Sequence, residues 1–154
     1  MRVQQILLAR LNDLLEPLGL TFSRYEALML LSFTRTGSLP LAKIGERLQV
    51  HRTSVTNTID KLEADGLVRR VPHGSDRRAV LAEITPKGRK VARRSTEVLN
   101  DAHFSILELA EAKAEELTGI LRALRLAAGD FVLDAAGRSH AEEPPGVPAG
   151  RAAR

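Results

Sequence analysis

Between Val3 and Leu15 the apolar residues Val3, Ile6, Leu7, Leu11, Leu14 and Leu15 recur at intervals of three and four. That period marks one face of an amphipathic helix. Glu16-Pro17 and Gly19 end it, because proline disfavours helical geometry in the residue before it. A second helix is predicted from about Thr21 to Phe33, capped by Thr21 or, a turn later, by the box Ser23-Arg24-Tyr25-Glu26. Thr36-Gly37-Ser38-Leu39-Pro40 reads as a turn. Leu41–Leu48 is a short helix with Leu41, Ile44 and Leu48 on one face. After Gln49-Val50-His51, the next helix carries Val55, Ile59 and Leu62 to Asp65-Gly66, where glycine supplies a left-handed cap.

The period then shortens. Leu67–Val71 and Ala79–Thr85 read as two strands, with Val80, Ala82 and Ile84 alternating with Leu81 and Glu83 in the second. Around the polar loop Pro72–Arg78 they form a hairpin with a long tip. Thr85-Pro86 opens a long helix, threonine as cap and proline in the first helical position. Its predicted apolar face is Val91, Val98, Ala102, Ile106 and Leu109, up to a break near Ala110–Ala112. A last helix carries the stripe Leu117, Ile120, Leu121, Leu124, Ala128 and Phe131. Residues 138–154 hold three prolines and almost no large apolar side chain, so a disordered tail is predicted there. The fold class is therefore mainly α with a small β-hairpin.

Composition narrows the chemistry. The 154 residues suit a single domain with a core of its own. They include no cysteine, which removes disulfides, thiolate metal sites and cysteine nucleophiles. The four histidines, His51, His73, His103 and His140, lack metal-ligand spacing, and no Gly-rich phosphate loop or nucleophile elbow is present. Neither an enzyme nor a cofactor is implied. Arg2, Gln4, Gln5, Arg10, Asn12 and Asp13 interrupt the first apolar stretch, and no uncharged apolar run approaches 18 residues, so a soluble, cytoplasmic protein without a membrane span is expected.

The net charge of +4 is unevenly placed. From Arg35 to Arg94 there are 14 Lys/Arg and 6 Asp/Glu, a net of +8, and the flanks carry −4. A basic centre suits a polyanion. The helix pair Leu41–Leu48 and Arg52–Ala64, packed through Ile44, Leu48, Val55, Ile59 and Leu62, is a candidate helix-turn-helix (about 41–64) and the hairpin its wing (about 67–85). That packing leaves Arg52, Thr53, Ser54, Thr56, Asn57, Asp60 and Lys61 on the outer face of the second helix. Short donors and acceptors near a helix start, flanked by cations, are what base reading in a major groove requires. The plain alternative is a solvated polar face. In the hairpin tip, Arg77 and Arg78 are suited to the negative potential of a narrow minor groove. Asp76 either holds one of these arginines in a bidentate pair or simply forms the turn. His51 and His73 are placed at the same surface.

With those residues in view the chain resembles the MarR family of bacterial transcription regulators, over about Val3 to Leu133. The matching segments are Leu20-Thr21, Leu41-Ala42-Lys43-Ile44-Gly45-Glu46-Arg47-Leu48, Ser54-Val55-Thr56, Leu62-Glu63-Ala64-Asp65-Gly66-Leu67-Val68, Asp76-Arg77-Arg78 and Ile84-Thr85-Pro86-Lys87-Gly88. Gln49 departs from the pattern, since many such turns use glycine there. The resemblance implies a winged helix-turn-helix domain (21–97) between dimerisation helices (1–20 and 98–137). It implies a homodimer reading a pseudo-palindromic operator in double-stranded DNA, most simply as a repressor. The apolar stripes of the terminal helices, too large for a small winged domain to bury, point to the same dimer. The resemblance further implies a small aromatic or amphipathic effector bound near Leu7, Arg10, Leu11, Tyr25, Met29 and Phe104, each of which has plain core or surface as its alternative. Without cysteine, thiol-based peroxide sensing is not available. The competing functional class is a winged helix used for protein contacts without DNA, which would expose apolar residues where Thr53, Ser54, Thr56 and Asn57 stand.

Overall fold

The computed structural model describes residues 1–72, 80–105, 111–129, 132–133 and 139–140, in two compact units, Met1–Ile106 and Leu107–Arg154. The first unit contains α1 (Arg2–Leu15), α2 (Phe22–Phe33), β1 (Ser38–Pro40), α3 (Leu41–Leu48), α4 (Arg52–Ala64), β2 (Val68–Pro72), β3 (Val80–Ile84) and α5 (Pro86–Asp101), with short 3-10 turns at Glu16–Leu18 and His103–Ser105. The second contains α6 (Glu111–Ala127) and the two-residue strands β4 (Val132–Leu133) and β5 (Ser139–His140), paired antiparallel. That pair lies partly in the segment predicted to lack structure; the rest of 138–154 lies outside the described residues. Among the described residues no helix is long and apolar enough to cross a membrane.

Local chemistry sets the boundaries. Gly19, at φ 70°, closes the turn after α1, and the Asn12 side chain accepts the Phe22 N–H at 2.8 Å. Thr21, and not Ser23, caps α2, its hydroxyl accepting the Arg24 N–H. α3 and α4 match the predicted spans, and Val55, Ile59 and Leu62 are buried with Ile44. Leu11 and Leu15 of α1 join the same core, so the first helix packs on the winged elements through its C-terminal half.

Three expectations are corrected. Ser38–Pro40 is not only a turn: it pairs with β3, giving a three-stranded antiparallel sheet in the order β1-β3-β2. Three residues are too few to display a period of two, and Gly37 and Pro40 disguise them as a loop. Second, α5 buries Gly88, Ala92, Ser95 and Leu99, one residue round from the predicted face, leaving Val91 and Val98 half-buried. Small side chains allow close packing, which the spacing of large ones does not reveal. Third, α5 stops at Asp101, and positive φ at His103, Phe104 and Ser105 takes the chain off the helical path well before the predicted break. Ile106 and Leu109 lie outside the described residues, as does Phe131.

At the sheet–helix junction the Thr85 hydroxyl accepts the Gly88 N–H at 3.0 Å and lies 2.8 Å from the Gly66 carbonyl, to which it donates. This knot seats the start of α5 against the α4–β2 turn.

Candidate nucleic-acid interface

The candidate interface is built on the start of α4. Its cap is His51, whose Nδ1 accepts the Thr53 N–H at 3.3 Å and lies 3.1 Å from the Thr53 hydroxyl. The preceding turn runs through Gln49 at φ 52° and ψ 41°. The left-handed geometry that glycine usually provides is thus kept with a side chain present. Arg52, Thr53, Ser54, Asn57 and Lys61 are exposed. Thr56 is half-buried and donates its hydroxyl proton to the Arg52 carbonyl at 3.2 Å, leaving its oxygen as an acceptor.

Each flank of α4 is secured differently. On the wing side, Arg70 of β2 forms ion pairs with both Asp60 and Glu63, and its backbone N–H donates to Glu63 at 2.9 Å. Burial acts to lower the Arg70 pKa, but the hydrogen bonds and charges of these two carboxylates outweigh it and hold it above the usual guanidinium value. On the α2 side, Arg24 pairs with Asp65 at 3.2 Å, and Lys87 donates to the Asp65 carbonyl at 2.7 Å. Further along that flank lies a cavity of about 210 Å³ bounded by α2, α3 and α4, with Ala27, Ile44, Val55 and Ile59 in its wall and Glu26 and Thr58 among its polar groups.

These pairings sort the basic centre. Glu46 pairs with Lys43 and Glu83 with Arg69, each at 2.7 Å. With the pairs above, every described acidic residue between Arg35 and Arg94 engages a particular cation. Arg52 and Lys61 make no ion pair among the described residues. The outer face of α4 therefore presents neutral short side chains between two cations without acidic partners.

The MarR family model matches residues 20–80. The organic hydroperoxide resistance transcriptional regulator of Bacillus subtilis (strain 168) is 30% identical over 113 residues, 73% of this chain and 73% of that one. Sco5413 of Streptomyces coelicolor, a MarR family transcriptional regulator, is 49% identical with a TM-score of 0.80, over 85% of this chain and 91% of its own. The chain belongs to the MarR family. Sco3205 of the same organism, a MarR family regulator solved in complex with DNA, is similar in fold, with a TM-score of 0.74 at 22% identity over 82% of this chain and 84% of its own.

In this MarR-family transcriptional regulator the predicted recognition residues all lie on α4, exposed except for half-buried Thr56, with Ser54 turned toward the α2–α3–α4 cavity, whereas Asp76, Arg77 and Arg78 lie outside the described residues. Asp60, expected on the open face, is tied instead to the wing strand. The six predicted effector residues fall into two groups. Leu11 and Tyr25 are core residues, and the Tyr25 hydroxyl lies 3.1 Å from that of Thr96, which in turn approaches the Met29 sulfur at 3.4 Å. Arg10 reaches the Ser105 carbonyl at 3.4 Å, next to the exposed Phe104, and Leu7 is half-buried. Sequence reasoning missed Arg70, Glu63 and the capping role of His51. Asp60 and Glu63, three apart on one helix flank just before Arg69-Arg70, were the available signal for the first two.

Proposed function

We propose that this MarR-family regulator binds double-stranded DNA sequence-specifically as a homodimer, and that it is a repressor released by a small molecule. The exposed face of α4 carries this reading. Arg52 and Lys61 are placed for phosphates, Thr53, Ser54, Thr56 and Asn57 for base edges, and no large apolar residue is exposed on the helix. A surface for protein contacts would need such residues at its centre. Arg77 and Arg78, with Asp76 to orient them, extend the contact into the minor groove.

The dimer has its own support. α6 exposes Leu117, Ile120, Leu121 and Leu124, between 45% and 61% each, at the spacing of one helix face. α1 exposes Val3 and Ile6. A two-fold dimer places its recognition helices about one DNA turn, roughly 34–36 Å, apart.

Selection from a random duplex library tests the reading. The expected product is a pseudo-palindrome with half-sites about 10 base pairs apart. Asn57→Ala should relax preference at one base position by about 1–3 kcal/mol, while Lys61→Ala weakens all sequences alike. Arg77→Ala or Arg78→Ala should weaken binding with the dimer intact. A pool that stays random after selection contradicts the proposal.

A further inference from the structure

We propose that the exposed basic face of α5 binds the phosphate backbone of a second stretch of duplex DNA, whatever its sequence, so that one molecule holds two DNA segments. The proposal goes beyond operator recognition by α4 and uses none of its residues. It rests on that reading only for the identity of the polyanion.

The placement of charge raises the question. Of the 14 Lys/Arg between Arg35 and Arg94, Arg52 and Lys61 are the two that α4 carries. Five others, Lys87, Arg89, Lys90, Arg93 and Arg94, fall within residues 87–94, which contain no acid. Gly88, Ala92, Ser95 and Leu99 form the buried face of α5, and Lys87, Lys90, Arg93 and Arg94 are exposed. Arg89 lies back against Gly37. Lys90 and Arg93 make no ion pair among the described residues. Arg94 pairs with Glu97 at 3.0 Å, but both side chains are largely exposed, so the pair is weak.

This arrangement works against the helix itself. Lys87 and Lys90 are three residues apart and Lys90 and Arg94 four, spacings at which like charges repel. The first turn holds no acidic residue, although the positive end of the helix dipole favours one there. A face that served solubility alone would mix its signs, as α6 does where Lys113 pairs with Glu116. A phosphate backbone relieves the repulsion. It offers one charge per roughly 3.4 Å of each strand, against roughly 5 Å between successive cations along the helix axis.

Position separates this face from the operator site. Ser23, Glu26 and Ala27 of α2 border α3 and α4, whereas Tyr25 and Met29 of α2 meet Thr96 of α5. Helix α2 therefore stands between α4 and α5, and the exposed face of α5 is turned away from both. Lys87 donates to the Asp65 carbonyl, at the opposite end of α4 from Arg52 and about 20 Å away for a helix of 13 residues. One straight duplex against the start of α4 does not reach Lys90 or Arg93. No large apolar residue is exposed on α5 to form the centre of a protein interface. Duplex DNA is the polyanion at hand, because a molecule seated on an operator meets other DNA at high effective concentration.

The test uses the full chain, saturated with a selected duplex fixed to beads and offered a labelled random-sequence duplex. The chain should capture the second duplex, with an affinity that falls about 40-fold between 50 and 200 mM salt for three phosphate contacts. Lys90→Ala combined with Arg93→Ala and Arg94→Ala, all exposed helical positions that suit alanine, should abolish capture. The same variant should change affinity for the selected duplex less than three-fold. Arg93→Lys with Arg94→Lys, which keeps the charge, should retain capture. No capture by the unmodified chain, undiminished capture by the triple alanine variant, or loss of capture in the lysine variant would each overturn the proposal. Polyglutamate that blocks capture more strongly than random duplex of equal charge would overturn it in favour of an acidic protein. Failure of the operator reading appears differently, as equal affinity for selected and scrambled duplexes. Arg52→Ala with Lys61→Ala then separates the two faces, since that variant should still bind random duplex through α5.

Discussion

A methyl group on Gly88 would stand 2.1 Å from the Leu67 carbonyl oxygen, a backbone atom that cannot turn aside. Gly119, in the interior of α6, has nothing within 4 Å of the same construction. Alanine should therefore act oppositely at the two helical positions. Gly88→Ala is expected to cost about 1–3 kcal/mol in urea unfolding, whereas Gly119→Ala should gain about 0.5–1 kcal/mol. Gly88 was recognisable as part of a motif, but its reason was not, because the atom it makes room for lies 21 residues earlier in the chain. Glu26 yields a prediction with a definite sign. Its pKa is raised by burial in the folded state, so the folded chain binds more protons than the unfolded one just above the ordinary carboxylate range. Stability then falls as pH rises through that window. Glu26→Gln should melt above the unmodified protein at pH 7, with the difference closing below about pH 4. A melting point lower than the unmodified protein's at pH 7 would contradict the desolvation account.

At the scale of elements, α4 is a helix with two guarded flanks and one open face. Arg70 joins it to β2, and its removal leaves Asp60 and Glu63 uncompensated beside the exposed face of α4. Arg70→Ala should cost about 1–2 kcal/mol of stability, discounted for the partial exposure of both carboxylates. It should also weaken DNA binding more than Arg69→Ala, whose partner Glu83 lies on the adjacent strand. Equal losses in anisotropy titrations of the two variants would remove the clamp from the account. Helices α3 and α4 were readable from the chain because large apolar residues repeat at helical spacing between clear stops. The strand β1 was not readable, because Ser38–Pro40 acquires its pairing only when β3 arrives from more than forty residues away. The buried face of α5 was misplaced by one residue because Gly88, Ala92 and Ser95 give no hydrophobic signal. Ion pairs such as Arg24–Asp65 join residues 41 apart, and no periodicity reports them.

For the whole molecule, the +4 net charge conceals a division of labour between a basic centre and acidic flanks. Pairing refines that division: the described acids of the centre pair with Lys43, Arg69, Arg70 and Arg24, and Arg52 and Lys61 stay on the open face. In the proposed dimer the exposed stripe of α6 meets a second copy of the chain. Ile120→Glu with Leu124→Glu should shift the chain to monomer in sedimentation and weaken operator binding, while each winged unit stays folded. The most direct measurement is fluorescence anisotropy of the full chain with the selected duplex and with a scrambled duplex of the same composition, from 50 to 200 mM salt. For about 6–10 phosphate contacts, affinity should drop roughly 10³–10⁵-fold across that range, with the selected duplex preferred throughout. A flat salt response, or equal affinity for the two duplexes, would contradict the proposed function.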